Sequence, residues 1–172
     1  WYGTGATSAN QGGSNYAWGG PTTGTDTTTN VGPITVQVPG MTTQLTSYLT
    51  ANGGRADPNA LYTVWGGANN LFAAVANPGQ APAIIGAAVT SEVGIVATLK
   101  QNGAQYILVP NIPDLGKTPA FLNNAGATQL ASMYNAALYN GLQSQGLRVI
   151  PLDTFHFLGE ITASPAQYGF AN

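Results

Sequence analysis

The 172-residue sequence has no cysteine and very few charged side chains. The absence of cysteine excludes a disulfide framework, a thiolate zinc site and a cysteine nucleophile. Charged residues make up 6% of the chain, far below the roughly 25% of an average globular protein. The four cations, Arg55, Lys100, Lys117 and Arg148, are scattered and the net charge is −2. We therefore expect no nucleic-acid partner.

Other groups of ligating residues are also scarce. One histidine and six singly spaced carboxylates form no ligand cluster, so we predict no metal ion and no cofactor. No run of 18 apolar residues occurs, so no membrane-spanning segment is predicted. The chain begins at Trp1 without a signal peptide, and we expect it to be a processed or truncated product. A surface rich in uncharged polar residues is typical of secreted bacterial proteins.

Short apolar runs alternate with helical patterns along most of the chain. This alternation predicts one α/β domain, residues 1–172, with a parallel sheet. Residues 1–14 and 21–33 are rich in Gly, Thr and Ser and are predicted to be loops. Residues 34–38 read as a strand or as an extended approach to the next helix. The predicted strands are 15–18, 34–38, 61–65, 106–110 and 148–153, and the predicted helices are 41–51, 69–76, 81–102, 126–145 and 155–161, with a further turn from Ser164.

The segment 61–72 (LYTVWGGANNLF) organises the rest of the chain. It predicts a buried strand, a glycine turn at 66–67 and a helix start at Asn69. In an open α/β sheet, ligands bind beyond the carboxyl ends of the strands. Asn69 therefore has two interpretations: it caps the helix, or it directs its amide into a ligand site.

Four segments together resemble one family. They are residues 13–20 (GSNYAWGG), 66–70 (GGANN), 110–119 (PNIPDLGKTP) and the tail formed by 149–153 and 165–170. Their order and spacing are similar to those of the SGNH (GDSL-type) hydrolases, in particular the autotransporter-esterase branch. The resemblance implies a flavodoxin-like three-layer α/β/α sandwich with a parallel sheet, here incomplete.

The resemblance also implies a mechanism and site residues. In the family, a Ser in a Gly-Asp-Ser motif attacks an acyl ester, and an Asp-x-x-His pair near the C-terminus supplies the base. By position, Gly20 (or its neighbour Gly19) and Asn69 correspond to the two oxyanion donors. Asn70 stands where the family usually has Asp, which we interpret as local tuning of the turn.

The Gly-Asp-Ser motif and the closing Asp-x-x-His-Pro motif are absent from these 172 residues. We expect the nucleophile and base in flanking sequence or in a companion fragment of the same chain. The implied substrate is an acyl ester or lipid, the implied location is secreted or at the bacterial cell surface, and any membrane attachment would need sequence outside this chain. The alternative is a non-catalytic domain that binds an acyl or carbohydrate ligand.

Asp153 and His156 have the Asp-x-x-His spacing. One interpretation makes them the orienting acid and base of a triad with a local serine. The other treats the spacing as a coincidence at a strand end, because no Pro follows. We favour the coincidence. No serine lies in Gly-x-Ser-x-Gly, and only Ser14 lies in a plausible turn near one of the family segments.

Overall fold

The computed structural model describes residues 7–170, which form a parallel sheet, the helices packed with it and a separate hairpin. The sheet order is β3–β4–β5, and the hairpin is β1–β2. Within residues 7–170, five 3₁₀ turns lie between or beside these elements. The strands and α-helices are β1 (Thr27–Val31), β2 (Ile34–Val38), α1 (Met41–Ala51), β3 (Leu61–Thr63), α2 (Ala68–Ala76), α3 (Ala81–Gln101), β4 (Tyr106–Pro110), α4 (Ala125–Ser144), β5 (Ile150–Leu152) and α5 (Thr154–Ala163).

The α/β class and the parallel sheet are confirmed. β3 pairs in parallel with β4, and β4 with β5, through helical crossovers. Ile107 and Val109 of β4 point to one face of the sheet and are buried with residues of α2, α3 and α4. Tyr62 lies opposite Ile107 and hydrogen-bonds Tyr48 of α1. The core therefore lies between the sheet and the helices α1–α4.

The opposite face of the sheet is apolar and largely exposed. The register pairs Leu61 with Tyr106, and Leu108 with Ile150, so these side chains share that face. Leu61 is 60%, Tyr106 53% and Ile150 45% exposed. The far edge of β3 pairs with no strand among residues 7–170. The outer edge of β5 is likewise unpaired in this part of the chain, so the sheet has one open apolar face and two open edges.

α3 is the central helix of the core. With the preceding 3₁₀ turn it is long and apolar enough to cross a membrane, by length and composition alone. Its buried residues include Ile85, Val93 and Val96, and it packs against α2 and α4. Its apolar composition is explained by this packing inside the domain.

The hairpin corrects the predicted loop at 21–33. Thr27–Val31 is a strand that pairs antiparallel with Ile34–Val38, so 34–38 is a true strand. Gly32 closes the turn with φ of 61°. Three consecutive threonines favour extended backbone. The segment was not predicted as a strand because it contains few apolar residues.

Other predicted boundaries change as well. The strand at 15–18 is wrong, because Asn15 forms only an isolated bridge to Ser8 and its side chain bonds the Ala17 amide. β5 is shorter than the predicted 148–153. α4 begins one residue before the predicted start at 126, after Asn124, whose side chain accepts a hydrogen bond from the Ala127 amide.

Candidate active site

The turn between β3 and α2 depends on its two glycines. Gly67 has φ of 99°, a conformation that side chains rarely adopt. A Cβ on Gly67 would lie 2.5 Å from the Tyr134 hydroxyl oxygen and 2.8 Å from Ile112 Cδ1. A Cβ on Gly66 would lie 2.9 Å from Met41 Cε and 3.2 Å from Thr23 Cγ2. Glycine is therefore required at Gly67, whereas at Gly66 the nearest atoms belong to the flexible end of the Met41 side chain, which can shift.

Asn69 is not the cap of α2. Gly67 occupies the N-cap position, and α2 begins at Ala68. The half-buried Asn69 side chain donates from Nδ2 to the Pro21 carbonyl at 2.8 Å. A primary amide carries two N–H donors, and this hydrogen bond uses one of them. The cap interpretation of Asn69 is therefore wrong, and its second N–H is available to another acceptor.

The neighbouring Asn70 attaches the same loop to the helix. Its Oδ1 accepts a hydrogen bond from the Thr23 amide at 3.1 Å. Thr23 is fully buried. Because Asp would offer the same acceptor oxygen, Asn can replace Asp here without loss of this contact.

A pocket of about 220 Å³ opens beside this turn, beyond the carboxyl ends of β3 and β4. Both predicted oxyanion donors, Gly20 and Asn69, line it, whereas Gly19 does not. Gly20 is exposed and has φ of 87°. The complete lining is Trp18, Gly20, Pro21, Met41, Trp65, Gly66, Gly67, Ala68, Asn69, Ile112 and Pro113.

Asp153 and His156 lie in contact at the start of α5. Asp153 Oδ2 is 2.6 Å from His156 Nδ1, and Asp153 Oδ1 accepts the His156 backbone N–H and Asn111 Nδ2. Partial burial opposes ionisation, but these hydrogen bonds outweigh it and lower the pKa of Asp153 to about 2. Both side chains are more than half exposed. Asp153 therefore acts as the N-cap of α5.

No serine hydroxyl hydrogen-bonds to His156 within residues 7–170. Ser91 and Ser144 donate to carbonyls of their own helices. Ser14 is exposed and does not line the pocket. In the part of the chain that is described, no three His, Cys, Asp or Glu side chains gather into a potential metal site.

Glu92 is a feature that the sequence reasoning missed. It lies on α3, is completely buried and accepts a hydrogen bond at Oε2 from the Tyr134 hydroxyl of α4. Burial raises the pKa of Glu92 to about 8, and the hydrogen bond from Tyr134 and the nearby Gly66 backbone amide oppose the rise. Burial also raises the pKa of Tyr134, with Glu92 adding to the rise. One signal in the sequence could have identified Glu92: it is a single acidic residue within a largely apolar part of α3.

Comparisons with known proteins identify the family of this chain. Residues 3–170 match the model of the GDSL-like lipase/acylhydrolase family. The chain is 36% identical to Lipase 1 of Photorhabdus luminescens over 135 residues, which are 76% of this chain and 20% of the relative. It is 38% identical to Esterase EstA of Pseudomonas aeruginosa over 120 residues, which are 67% of this chain and 18% of the relative.

A third relative, an uncharacterized Pseudomonas putida protein from the trpE-trpG intergenic region, is 39% identical over 124 residues, which are 70% of this chain and 20% of the relative. The chain thus spans about a fifth of the length of the curated relatives it matches. Since the family model covers nearly every residue, this chain belongs to the GDSL-like lipase/acylhydrolase family of SGNH hydrolases.

Proposed function

We propose that the protein hydrolyses carboxylic esters and that this chain supplies two oxyanion donors, the Gly20 N–H and the Asn69 side chain. One observation carries the proposal. Asn69 lies in the pocket lining with its amide held by Pro21, so one N–H is fixed and the other remains available. A donor held in this way stabilises developing negative charge without reorganisation during the reaction.

The reaction needs a nucleophile and a base that we assign to sequence outside these 172 residues. A serine Oγ attacks the ester carbonyl carbon, its proton passes to a histidine, and the carbonyl π electrons move onto oxygen. Gly20 and Asn69 donate hydrogen bonds to that oxyanion. Collapse of the intermediate expels the alcohol, which takes the proton from the histidine. Water then releases the acyl group by the same steps.

The open surfaces of the sheet support a contribution from flanking sequence. The unpaired edge of β3 adjoins the turn that carries Asn69. The exposed face with Leu61, Tyr106 and Ile150 is apolar. A further strand at that edge and helices over that face would bury both features. They would also bring new residues to the carboxyl end of the sheet, next to the pocket.

The character of the pocket supports an acyl ester or lipid substrate. Trp18, Trp65, Met41 and Ile112 offer apolar contacts, and Asn69 offers a directional donor. Apolar walls with few polar groups suit an acyl chain attached to a polarised carbonyl. Among residues 7–170, no charged side chain lines the pocket.

We also propose that the protein acts outside the cytoplasm, as a secreted or surface-bound enzyme of the autotransporter-esterase type. The support is indirect: charged residues form only 6% of the chain, so its surface is covered mainly by uncharged polar residues. Fractionation of a producing bacterium tests the location. Recovery of the protein only with cytoplasmic markers would contradict it.

The test of the oxyanion role is Asn69→Ala in the complete protein, with a short-chain p-nitrophenyl ester as substrate. We expect kcat to fall by ~10²–10³-fold, with a much smaller change in KM, because the lost donor acts mainly in the transition state. Asn77→Ala is the matched control, since Asn77 ends the same helix and its side chain bonds only Ala73. Unchanged kcat in Asn69→Ala would show that Asn69 is not an oxyanion donor.

The non-catalytic alternative has its own test. An inactive wild-type protein that still binds acyl ligands would favour it.

A further inference from the structure

A buried polar pair lies directly beneath the turn that carries Asn69. Glu92 and Tyr134 are both completely buried and are joined through the Tyr134 hydroxyl and Glu92 Oε2. The other carboxyl oxygen, Oε1, has no hydrogen-bond partner among the described residues. A buried carboxyl with an unsatisfied oxygen is costly, so its position requires an explanation.

The pair contacts the turn at two points. The Tyr134 ring and hydroxyl occupy the space where a Gly67 side chain would lie. The Gly66 amide is directed at the Glu92 carboxyl and favours its charged form, although it falls short of a well-formed hydrogen bond to Oε1. The pair thus packs against Gly67 through Tyr134, and the Glu92 carboxyl feels the Gly66 amide.

The position of this turn determines the position of Asn69. Gly67 is the N-cap of α2, and Asn69 is the second residue of that helix. A shift of Gly66 or Gly67 therefore moves the Asn69 amide and the pocket wall together. Displacement of a catalytic group by about 1 Å can cost ~10²-fold in rate.

We infer that Glu92 is a positioning residue of this esterase. Through its hydrogen bond with Tyr134, which packs against Gly67, it holds the Gly66–Gly67 turn and thereby the Asn69 donor. The inference rests on the proposed function for its effect on turnover. Its structural part, that Glu92 sets the position of the turn, stands independently.

The position of the turn should depend on the protonation of Glu92. The titratable groups facing it are Tyr134 and, at longer range, Tyr139, both on α4. Residues 7–170 give it no cationic partner. Because burial raises the pKa of Glu92 to about 8, the carboxyl is neutral at pH 7 and becomes charged above pH 8. A charge buried without a counterion must draw in a donor or water, and the Gly66 amide is a backbone donor that favours the charged form.

The experiment compares wild type with Glu92→Gln in the complete protein from pH 6 to pH 9. Glu160→Gln is the matched control, because Glu160 lies on α5 and its carboxylate accepts only an exposed contact from Tyr168. Gln is isosteric with Glu, keeps an acceptor for Tyr134 and cannot ionise. Tyr134→Phe is the second variant, which removes the hydroxyl and keeps the ring.

Two readouts separate the inference from the proposed function. The first is the pH profile of kcat. We expect it to fall roughly tenfold between pH 7 and pH 9 in wild type and Glu160→Gln, with KM nearly constant, and to stay flat in Glu92→Gln. The second is the ¹⁹F resonance of 5-fluorotryptophan at Trp65, the residue before Gly66, assigned by its loss in Trp65→Phe. It should shift with a midpoint near pH 8 in wild type and not in Glu92→Gln.

The outcomes are distinct. A Trp65 shift that Glu92→Gln abolishes, in a protein without esterase activity, would support the positioning role and contradict the proposed function. An active protein whose alkaline kcat limb and Trp65 shift persist in Glu92→Gln would overturn the inference. So would a Tyr134→Phe variant with unchanged kcat and an unchanged Trp65 resonance.

Discussion

Gly67 is the residue on which the geometry of the site depends most directly. Its positive φ and its contact with Tyr134 leave no room for a side chain. We expect Gly67→Ala to lower the free energy of unfolding by roughly 2–4 kcal/mol, the sum of backbone strain and overpacking. Urea unfolding of the complete protein measures the loss. Gly86→Ala is the control, because a Cβ at Gly86 of α3 meets nothing within 4 Å, and this change should be neutral or stabilising.

Glu92 should also give stability a pH dependence. Its pKa is raised from 4.5 to about 8 in the folded protein, so the folded state holds a proton that the unfolded state has lost. Below pH 4.5 the protonated Glu92 makes its largest contribution to stability. Between pH 4.5 and about pH 8 the free energy of unfolding falls by at most about 1.4 kcal/mol per pH unit, and above pH 8 this contribution no longer changes. Melting temperatures from pH 5 to pH 9 should fall less in Glu92→Gln than in wild type. Parallel curves would contradict this expectation.

Single residues were predictable only where they belong to a recognisable motif. Gly20 and Asn69 were predicted from the resemblance, and both line the pocket. The bond from Asn69 to Pro21 could not be predicted, because it joins positions 48 residues apart. Glu92 was missed for a related reason: its partner Tyr134 lies 42 residues away, and neither residue has a local pattern that marks it.

Among the elements, α5 depends on one side chain at its start. Asp153 accepts the His156 backbone N–H and also binds Asn111. We expect Asp153→Ala to cost about 1 kcal/mol of stability through loss of the cap, and Asp153→Asn to retain most of it. Since the pKa of Asp153 is lowered from 3.8 to about 2, its stabilisation is present above pH 4 and is lost as pH falls toward 2. Thermal melts at pH 7 and pH 3 measure both effects, and equal losses in the two variants would contradict the capping role.

Long, periodic elements were predicted closely, and short or polar ones were not. The predictions for α3, α4 and β4 agree with the structure within about a residue at each end, because apolar periodicity specifies them. β1 was missed because its threonines and asparagine lie on an exposed hairpin. The strand predicted at 15–18 fails because no second strand lies beside it, which local sequence does not reveal.

At the scale of the whole molecule, the open sheet governs behaviour in solution. An unpaired β3 edge and an apolar face invite association between chains. We expect residues 1–172 expressed alone to self-associate, as light scattering after size exclusion would show. Replacing Ile150 and Leu61 on the open face with Thr should reduce the association, whereas Leu122→Thr, outside the sheet, should not. A monomeric wild-type chain with a cooperative melt would contradict the expectation.

The overall architecture was the most predictable level. Alternating strands and helices determine a parallel sheet with right-handed crossovers whatever the details of the turns. The distribution of helices over the faces was less predictable. α1 joins α2–α4 on one face because Tyr48 meets Tyr62 and α1 packs on α3. Those contacts arise from three-dimensional packing and have no counterpart in local periodicity.

The hydrogen bond from the Thr23 amide to Asn70 has a consequence for measuring how the site assembles. The Thr23 amide donates to a side chain of α2 that is 47 residues away in the sequence, and Thr23 itself is fully buried. Its hydrogen–deuterium exchange therefore reports whether the 21–23 loop is docked on α2, independently of the helix itself. Exchange at Thr23 that is faster than at the α2 amides would mean that the pocket opens and closes while the domain remains folded.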